Sequence, residues 1–333
     1  MTIGDLIMIG GSAGSVEAIR AVLGGLGADL PAAVAIVIHV SPTSRSHLPE
    51  VLSRYGVLPV RHPIHGERIE NGLVVVAPPD RHLVIEGDRI LLGEGPRENG
   101  FRPSIDVMFR SAAATGTSRL LAIALSGALD DGAIGALRVK KRGGAVIVQD
   151  PHEAAYSGIP RAVLSAVPSV DAVLRAADIA SAVHARLGGP GAVAPARSPR
   201  PNRDVEAPSA TGLEPAPPQA AASTRQRGGA TGLTCPECHG ALWLTEEGDV
   251  VRFECRVGHG FTEGALLAAQ QNDVEDAMWI AYRALEEMAE SCAIAMERAG
   301  TRGHDDVVKM YEERRSAAMA KAEIIRRALT TGG

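Results

Sequence analysis

The sequence predicts an α/β protein: a doubly wound, mainly parallel sheet with an antiparallel hairpin, followed by a small cysteine-rich unit and an α-helical hairpin. Three observations predict it. Over the first 187 residues short apolar runs alternate with longer amphipathic stretches, the pattern of strands buried on both faces and the helices that cover them. Three of the four cysteines crowd between positions 235 and 255. Beyond them, apolar residues recur at heptad spacing.

In chain order, Leu6-Ile7-Met8-Ile9 reads as a buried strand leading into a helix over 14–25. Val34–Ile38 is a second strand, followed by a helix over 46–55. After the run Leu73–Ala77, His82–Ile85 and Arg89–Leu92 flank Glu86-Gly87-Asp88 and read as a hairpin turning at Gly87, at one edge or side of the sheet. A helix over 104–115, the strand Leu120–Leu125, a helix over 132–142 and the strand Ala145–Gln149 continue the alternation.

Residues 188–229 hold eight of the 21 prolines and almost no large apolar side chain. Such a stretch buries too little surface to offset its ordering entropy, so it reads as a flexible linker. The expected organisation is therefore a domain at 1–187, the linker at 188–229, the cysteine-rich unit at 230–265 and a helical hairpin at 266–333. In the first helix Val274, Met278, Ala281, Leu285, Met288, Cys292 and Ala295 form a heptad seam. In the second the seam runs Val308, Tyr311, Arg315, Ala318, Ala322, Ile325 and Leu329, with Arg315 interrupting it and Gly300–Gly303 as the turn. That seam is either internal to an antiparallel pair or a surface for a partner protein.

Composition narrows the function classes. With 333 residues and 45% hydrophobic content the chain suits two domains. A net charge of −5 leaves no basic footprint for nucleic acid. No apolar run approaches the ~20 residues of a membrane span, and the N-terminus lacks a secretory signal, so a cytoplasmic protein without membrane insertion is expected. There, crowded cysteines argue for metal ligation over disulfides.

Gly10-Gly11-Ser12-Ala13-Gly14-Ser15 lies where the first strand meets its helix. Gly-x-Ser-x-Gly matches a nucleophile elbow, whose small residues allow a sharp turn that lifts the serine hydroxyl clear of the sheet. The helix start, at Ala13, then offers backbone N–H groups to a developing oxyanion. A phosphate-binding glycine loop and a simple serine cap are the alternatives. The spacing departs from G-x-G-x-x-G, and the second strand ends in His39 where a ribose-binding acid would stand. Asp130-Asp131 follow the strand Leu120–Leu125, either to cap the next helix or, for one of them, to orient an imidazole. Ligands of open parallel sheets bind beyond the strands' carboxyl ends, so Ser12, His39 and the aspartates belong to one rim. The order Ser…His…Asp differs from that of the α/β-hydrolases, which points to a different sheet.

Cys235-Pro236-Glu237-Cys238, with Cys255 and His259, offers four ligands suited to a closed, tetrahedral, structural zinc site, a zinc-ribbon-like unit. A redox pair at Cys235/Cys238 is the alternative, and His239, beside a ligand already, is the spare donor. Cys292 falls on the helical seam and reads as core. The acidic flank Glu246-Glu247 favours a scaffold or protein-docking role over nucleic acid.

The first 187 residues or so also resemble the catalytic domain of CheB-type protein-glutamate methylesterases. The resemblance rests on Gly10–Gly14, Ile38-His39-Val40, Ala77–Leu83, Arg102–Phe109, Ser126–Ala133, Gln149-Asp150-Pro151 and Ile159-Pro160-Arg161, in that order. It implies Ser12 as nucleophile, His39 as general base, Asp131 as orienting acid and an oxyanion donor at Ala128. It implies hydrolysis of glutamyl methyl esters, and deamidation of some glutamines, on the helical cytoplasmic region of chemoreceptors in chemotaxis-like signalling, with no cofactor for catalysis. Ala13 stands where the family usually has threonine, and Ala128 where a larger residue is common, so turnover or substrate fit is expected to differ. No receiver domain precedes the first strand, so control by that domain's phosphorylation is expected to be absent in cis. A non-catalytic adaptor, docking on helical receptors and recruiting a partner through its C-terminal part, is the rival reading. Retention of all three polar residues favours the enzyme; a phosphate-binding module is the third possibility.

Overall fold

The structure is a computed structural model that describes residues 5–43, 46–116, 119–187, 229–247 and 250–331. The linker expected at 188–229 lies, apart from Gly229, outside the described residues. The chain divides into two compact units, Met1–Leu266 and Leu267–Gly333, and the cysteine-rich segment falls in the first.

The first unit opens with β1 (Asp5–Gly11), α1 (Ser15–Gly24), β2 (Ala32–Ile38) and α2 (Leu48–Leu52). Short strands follow: β3 (Val60–Arg61), β4 (Glu67–Arg68), β5 (Val74–Val76), β6 (His82–Glu86) and β7 (Arg89–Gly93). Then come α3 (Ile105–Ala114), β8 (Leu120–Ala124), α4 (Ala133–Lys141), β9 (Ala145–Gln149), α5 (Gly158–Ala166), β10 (Ala172–Leu174) and α6 (Ala176–Arg186).

Seven of these strands form a parallel sheet in the order β10-β9-β8-β1-β2-β5-β3. The chain starts in the middle, works outward through β2 and β5, and returns to β8 on the far side of β1. Strand order therefore reverses between β1 and β8, the place where a doubly wound sheet opens its ligand crevice. Side chains alternate across each strand. Leu6 and Met8 of β1 join one core with α3, α4 and α5, while Ile7 and Ile9 join another with α1 and α6. All seven residues of β2 are buried, which is why it reads as an unbroken apolar run.

The hairpin of β6 and β7 turns at Gly87, where φ is 56°. It makes a separate three-stranded sheet with β4, in the order β4-β7-β6. The cysteine-rich segment is a four-stranded antiparallel sheet: β11 (Ala230–Thr234), β12 (Ala241–Glu247), β13 (Val250–Cys255) and β14 (Gly260–Thr262). Its buried apolar residues, Leu242, Phe253 and Phe261, are few.

Helices α7 (Glu263–Gly300) and α8 (Asp305–Thr331) are joined by a turn in which the Gly303 N–H donates to the Gly300 carbonyl. In the second unit Cys292, Ala318 and Ala322 are buried and Met278, Ala281, Leu285 and Ala295 half-buried, but Val274 and Met288 are exposed. Ala289 and Ala299 are buried in their place. Along this stretch of α7 the inner face is marked by small residues, Ala289, Cys292 and Ala299, and the larger Met288 is left outside it.

Candidate active site

The three polar residues come from the ends of three neighbouring strands. Ser12 follows β1, and its N–H donates to the Ser126 carbonyl at 2.9 Å, tying the elbow to the end of β8. The Ser15 hydroxyl donates to the Ser12 carbonyl at 2.7 Å and closes the turn into α1. Gly14, the cap of α1, has a φ of 72°, and a Cβ there would also lie 2.7 Å from Ala155 Cβ, so both conformation and space require glycine.

His39 follows β2. Its Nδ1 lies 3.1 Å from Ser12 Oγ and its Nε2 lies 2.7 Å from Asp131 Oδ2. The two ring nitrogens exchange the partners they have in the familiar serine-protease triad, Nδ1 facing the serine and Nε2 the aspartate. Phe101 stacks on the imidazole with ring centroids 3.6 Å apart and planes 9° from parallel.

Asp131, fully buried, is saturated with donors. Oδ1 accepts from Asn99 Nδ2 (2.9 Å), Ser104 Oγ (2.9 Å) and the Asp106 N–H (3.2 Å), and Oδ2 accepts from the Ile105 N–H (2.7 Å) as well as His39. Three of these donors belong to the N-terminal turn of α3 or its cap, where the helix dipole favours a negative charge. Burial alone would raise the Asp131 carboxyl; the bond and charge of His39, with Asn99 and the Ile105 N–H, hold it below the ordinary carboxylate value. The neighbouring Asp130 faces away from His39. Its Oδ1 accepts from Thr262 Oγ1 at 2.5 Å, and burial raises its carboxyl above the usual range. The two aspartates thus part company: one addresses the imidazole, the other β14.

Ser12, Ala13, His39 and Phe101 line an open cleft of about 450 Å³, with Arg97 and Arg102 on its wall. Arg102 is fixed by Asp80 Oδ1, at 2.9 Å from Nε and 2.6 Å from Nη2. Ala128 is exposed on the Ser126–Asp131 loop and is not among the cleft-lining residues, although its neighbour Gly127 packs against Ser12.

Asn99, Phe101 and Ser104 escaped the sequence reading, although each carries a signal. Asn99-Gly100 is the strongest short hairpin-turn dipeptide, and Asn99 and Gly100 have φ values of 54° and 80°. Glu98 and Phe101 close the turn with reciprocal backbone bonds of 3.1 and 2.9 Å. Ser104 precedes an apolar helical run, the position of an N-cap, and its hydroxyl accepts from the Val107 N–H.

Cys235, Cys238, Cys255 and His259 place their ligand atoms within 4.8 Å of one another. His259 Nδ1 lies 3.7 Å from Cys235 Sγ and 3.5 Å from Cys255 Sγ, and Cys238 Sγ lies 3.6 Å from Cys255 Sγ. Zinc–sulfur bonds of ~2.3 Å in a tetrahedron require edges of ~3.8 Å, so the four donors fit that ion. His239 occupies the left-handed turn position of the first knuckle, with a φ of 56°, and is outside the cluster.

Fold and cluster together have the form of a serine hydrolase with its site at the switch point of a parallel sheet. The family described as CheB methylesterase matches residues 7–183, more than half of the sequence, and the chain belongs to that family. A putative protein-glutamate methylesterase/protein-glutamine glutaminase of Leptospira interrogans is 36% identical over 177 residues, covering 53% of this chain and 91% of the relative. A protein-glutamate methylesterase/protein-glutamine glutaminase of Methanosarcina acetivorans is 37% identical over 164 residues, 47% of this chain and 46% of that longer protein. The crystal structure of the Thermotoga maritima CheB methylesterase catalytic domain superposes with a TM-score of 0.51 at 29% identity, covering 54% of this chain and 97% of that one.

Proposed function

We propose that the chain hydrolyses glutamyl methyl esters on chemoreceptors, and deamidates glutamines there, with Ser12 as nucleophile, His39 as general base and Asp131 as the orienting acid. The observation that carries the reading is the Ser12–His39–Asp131 relay, at 3.1 and 2.7 Å, on the rim of a CheB-family sheet. Ser12 Oγ attacks the ester carbonyl while His39 Nδ1 takes its proton, and Asp131 holds the imidazolium through Nε2–H. Amides at Ala13 and in the Ser126–Asp131 loop, where Ala128 lies, receive the oxyanion. His39 returns the proton to the leaving methoxide, methanol departs, and water then frees the glutamate by the same steps. From a glutamine the leaving group is ammonia. No cofactor enters this chemistry. The open cleft suits a substrate side chain presented on a helix.

Among the described residues no helix is long and apolar enough to cross a membrane, and we place the activity in the cytoplasm, on the receptors' helical region. Cys235, Cys238, Cys255 and His259 would hold a structural zinc ion, whose role is to fix the fold of β11–β14.

Methanol release from methylated receptor tests the reading. Ser12→Ala is expected to lower kcat by ~10⁴-fold or more, the scale on which triad nucleophiles act. Release by the variant at the wild-type rate would remove Ser12 from the chemistry.

A further inference from the structure

The Glu98–Phe101 turn lies between the active site and β11–β14, and its residues face both. Asn99 donates its side-chain amide to Asp131 Oδ1 (2.9 Å) and Asp106 Oδ2 (3.1 Å). On the other side Asn99 Oδ1 accepts the Thr262 N–H at 2.9 Å, and the Asn99 N–H donates to the Gly260 carbonyl at 2.7 Å. Glu98 is buried between Arg110 of α3 and Arg252 of β13, the latter at 2.7 Å. Phe101 stacks on His39. Thr262 also reaches Asp130, the residue beside Asp131.

A hairpin of so few residues is marginal alone and persists where its surroundings hold it. Asp131, Asp106 and Arg110 hold this one from the side of the parallel sheet, and β13 and β14 hold it from the other. His259 immediately precedes β14, so the residue that would bind metal and the strand that grips the turn are adjacent in the chain. With so few buried apolar residues, that sheet depends on its ligand cluster for its fold.

Building on the Ser12–His39–Asp131 reading, we infer that the Cys/His unit is a working part of the esterase. Strand β14 positions the Asn99–Phe101 turn against Asp131 and His39, so turnover at Ser12 follows the folded, metal-loaded state of the unit. Asn99 is the positioning residue: its amide fixes the carboxylate that orients His39, and its own oxygen is held by the Thr262 N–H of β14.

The test uses the full chain, with zinc content, kcat and KM for methanol release, and hydrogen exchange over 96–106. Removing zinc with a chelator, or Cys238→Ser, is expected to lower kcat about tenfold or more, as a misplaced catalytic group does, with little change in KM. Exchange at 98–101 rises in parallel, and zinc restores both in the chelated wild type. Asn99→Ala, with all four ligands intact, removes both the amide that reaches Asp131 and the oxygen that accepts the Thr262 N–H, and is expected to lower kcat about three- to tenfold, the worth of one hydrogen bond, with KM and zinc content unchanged. Wild-type kcat in the zinc-free chain overturns the inference, as does Asn99→Ala indistinguishable from wild type. Failure of the esterase reading looks different: Ser12→Ala then matches wild type, and exchange at 98–101 with and without zinc still decides whether the unit holds the turn.

Discussion

The parallel sheet and the Cys/His sheet each fix a set of polar side chains, but they reverse the order of cause. Ser12, His39 and Asp131 are separated by 27 and 92 positions in sequence and are brought together by strands buried along their whole length. There the apolar core does the placing and the polar groups ride on it. Cys235 and His259 are only 24 positions apart, in the turns after β11 and before β14, and most residues of β11 and β13 are exposed or half-buried. Here few apolar residues are buried, and in the proposed reading the zinc ligands stand in for a core. The difference teaches where each region is vulnerable: the first to the loss of apolar volume, the second to the loss of a ligand.

The largest effect expected follows from the proposed zinc: withdrawing it should act on the Cys/His sheet first. Structural zinc sites of this donor set carry on the order of 10–16 kcal/mol of apparent binding free energy near neutral pH. Chelation should strip hydrogen-exchange protection from β11–β14 while β1, β2, β8 and β9 keep theirs. Loss of protection in both sheets together would dissolve the comparison.

The converse break is Phe109→Ala. Phe109 is fully buried in α3, under the turn that carries Asp131's donors. Truncating it should cost about 3–5 kcal/mol of unfolding free energy, read from the denaturant midpoint. Under native conditions the variant should still bind zinc with wild-type stoichiometry. A variant that loses its zinc as well would mean the two sheets fold as one.

What the sequence disclosed follows the same division. Ala145–Gln149 was legible to the residue because a strand buried on both faces can only be written as a continuous apolar run. The two-residue strands β3 and β4 were not, since their neighbours make them strands rather than their own composition. The alanine-rich α6 lacked a strong apolar stripe. The hairpin was legible as a hairpin, while its place in a separate sheet depended on pairing with β4. At the site, the rule that ligands gather beyond strand ends put Ser12, His39 and both aspartates on one rim, and it was the family resemblance that chose Asp131 over Asp130. Asn99 and Phe101 lay beyond that rule: their partners are Asp131, Thr262 and His39, and no local pattern encodes contacts over such separations.

A smaller effect sharpens the electrostatic side. Burial, with the charges of Asp131 and Glu98, pushes the Asp106 carboxyl up to about 7. An unfolded aspartate titrates at ~3.9, so between about pH 4 and 7 folded Asp106 retains a proton that the unfolded chain has released. Stability then falls as pH rises through that window, by at most about 1.4 kcal/mol per pH unit. His82, kept neutral chiefly by burial, works in the opposite sense below its unfolded value of ~6.5. Asp131 and Glu98 are both held low, so their contribution is complete above ~4 and is lost in more acid solution. The diagnostic is therefore the difference between wild type and Asp106→Asn, which should grow with a positive sign for the variant from pH 4 to 7. Parallel stability–pH curves would mean that Asp106 is ionised in the folded protein.

The smallest effect bears on how Asp131 is shared between the two regions. Ser104 caps α3 and donates its hydroxyl to Asp131 Oδ1 at 2.9 Å, on the sheet's side of the carboxylate, while Asn99 donates from the side gripped by β14. Ser104→Ala should cost ~1 kcal/mol of stability, as lost helix caps do. If the carboxylate is oriented by all its donors together, kcat should also fall about threefold or more, the scale of one hydrogen bond, with KM unchanged. Stability lost at constant kcat would mean instead that Asn99 and the backbone N–H groups of Ile105 and Asp106 hold Asp131 unaided. The orienting of His39 would then rest on the α3 backbone and on Asn99, the side chain that bonds both Asp131 and the Thr262 N–H of β14.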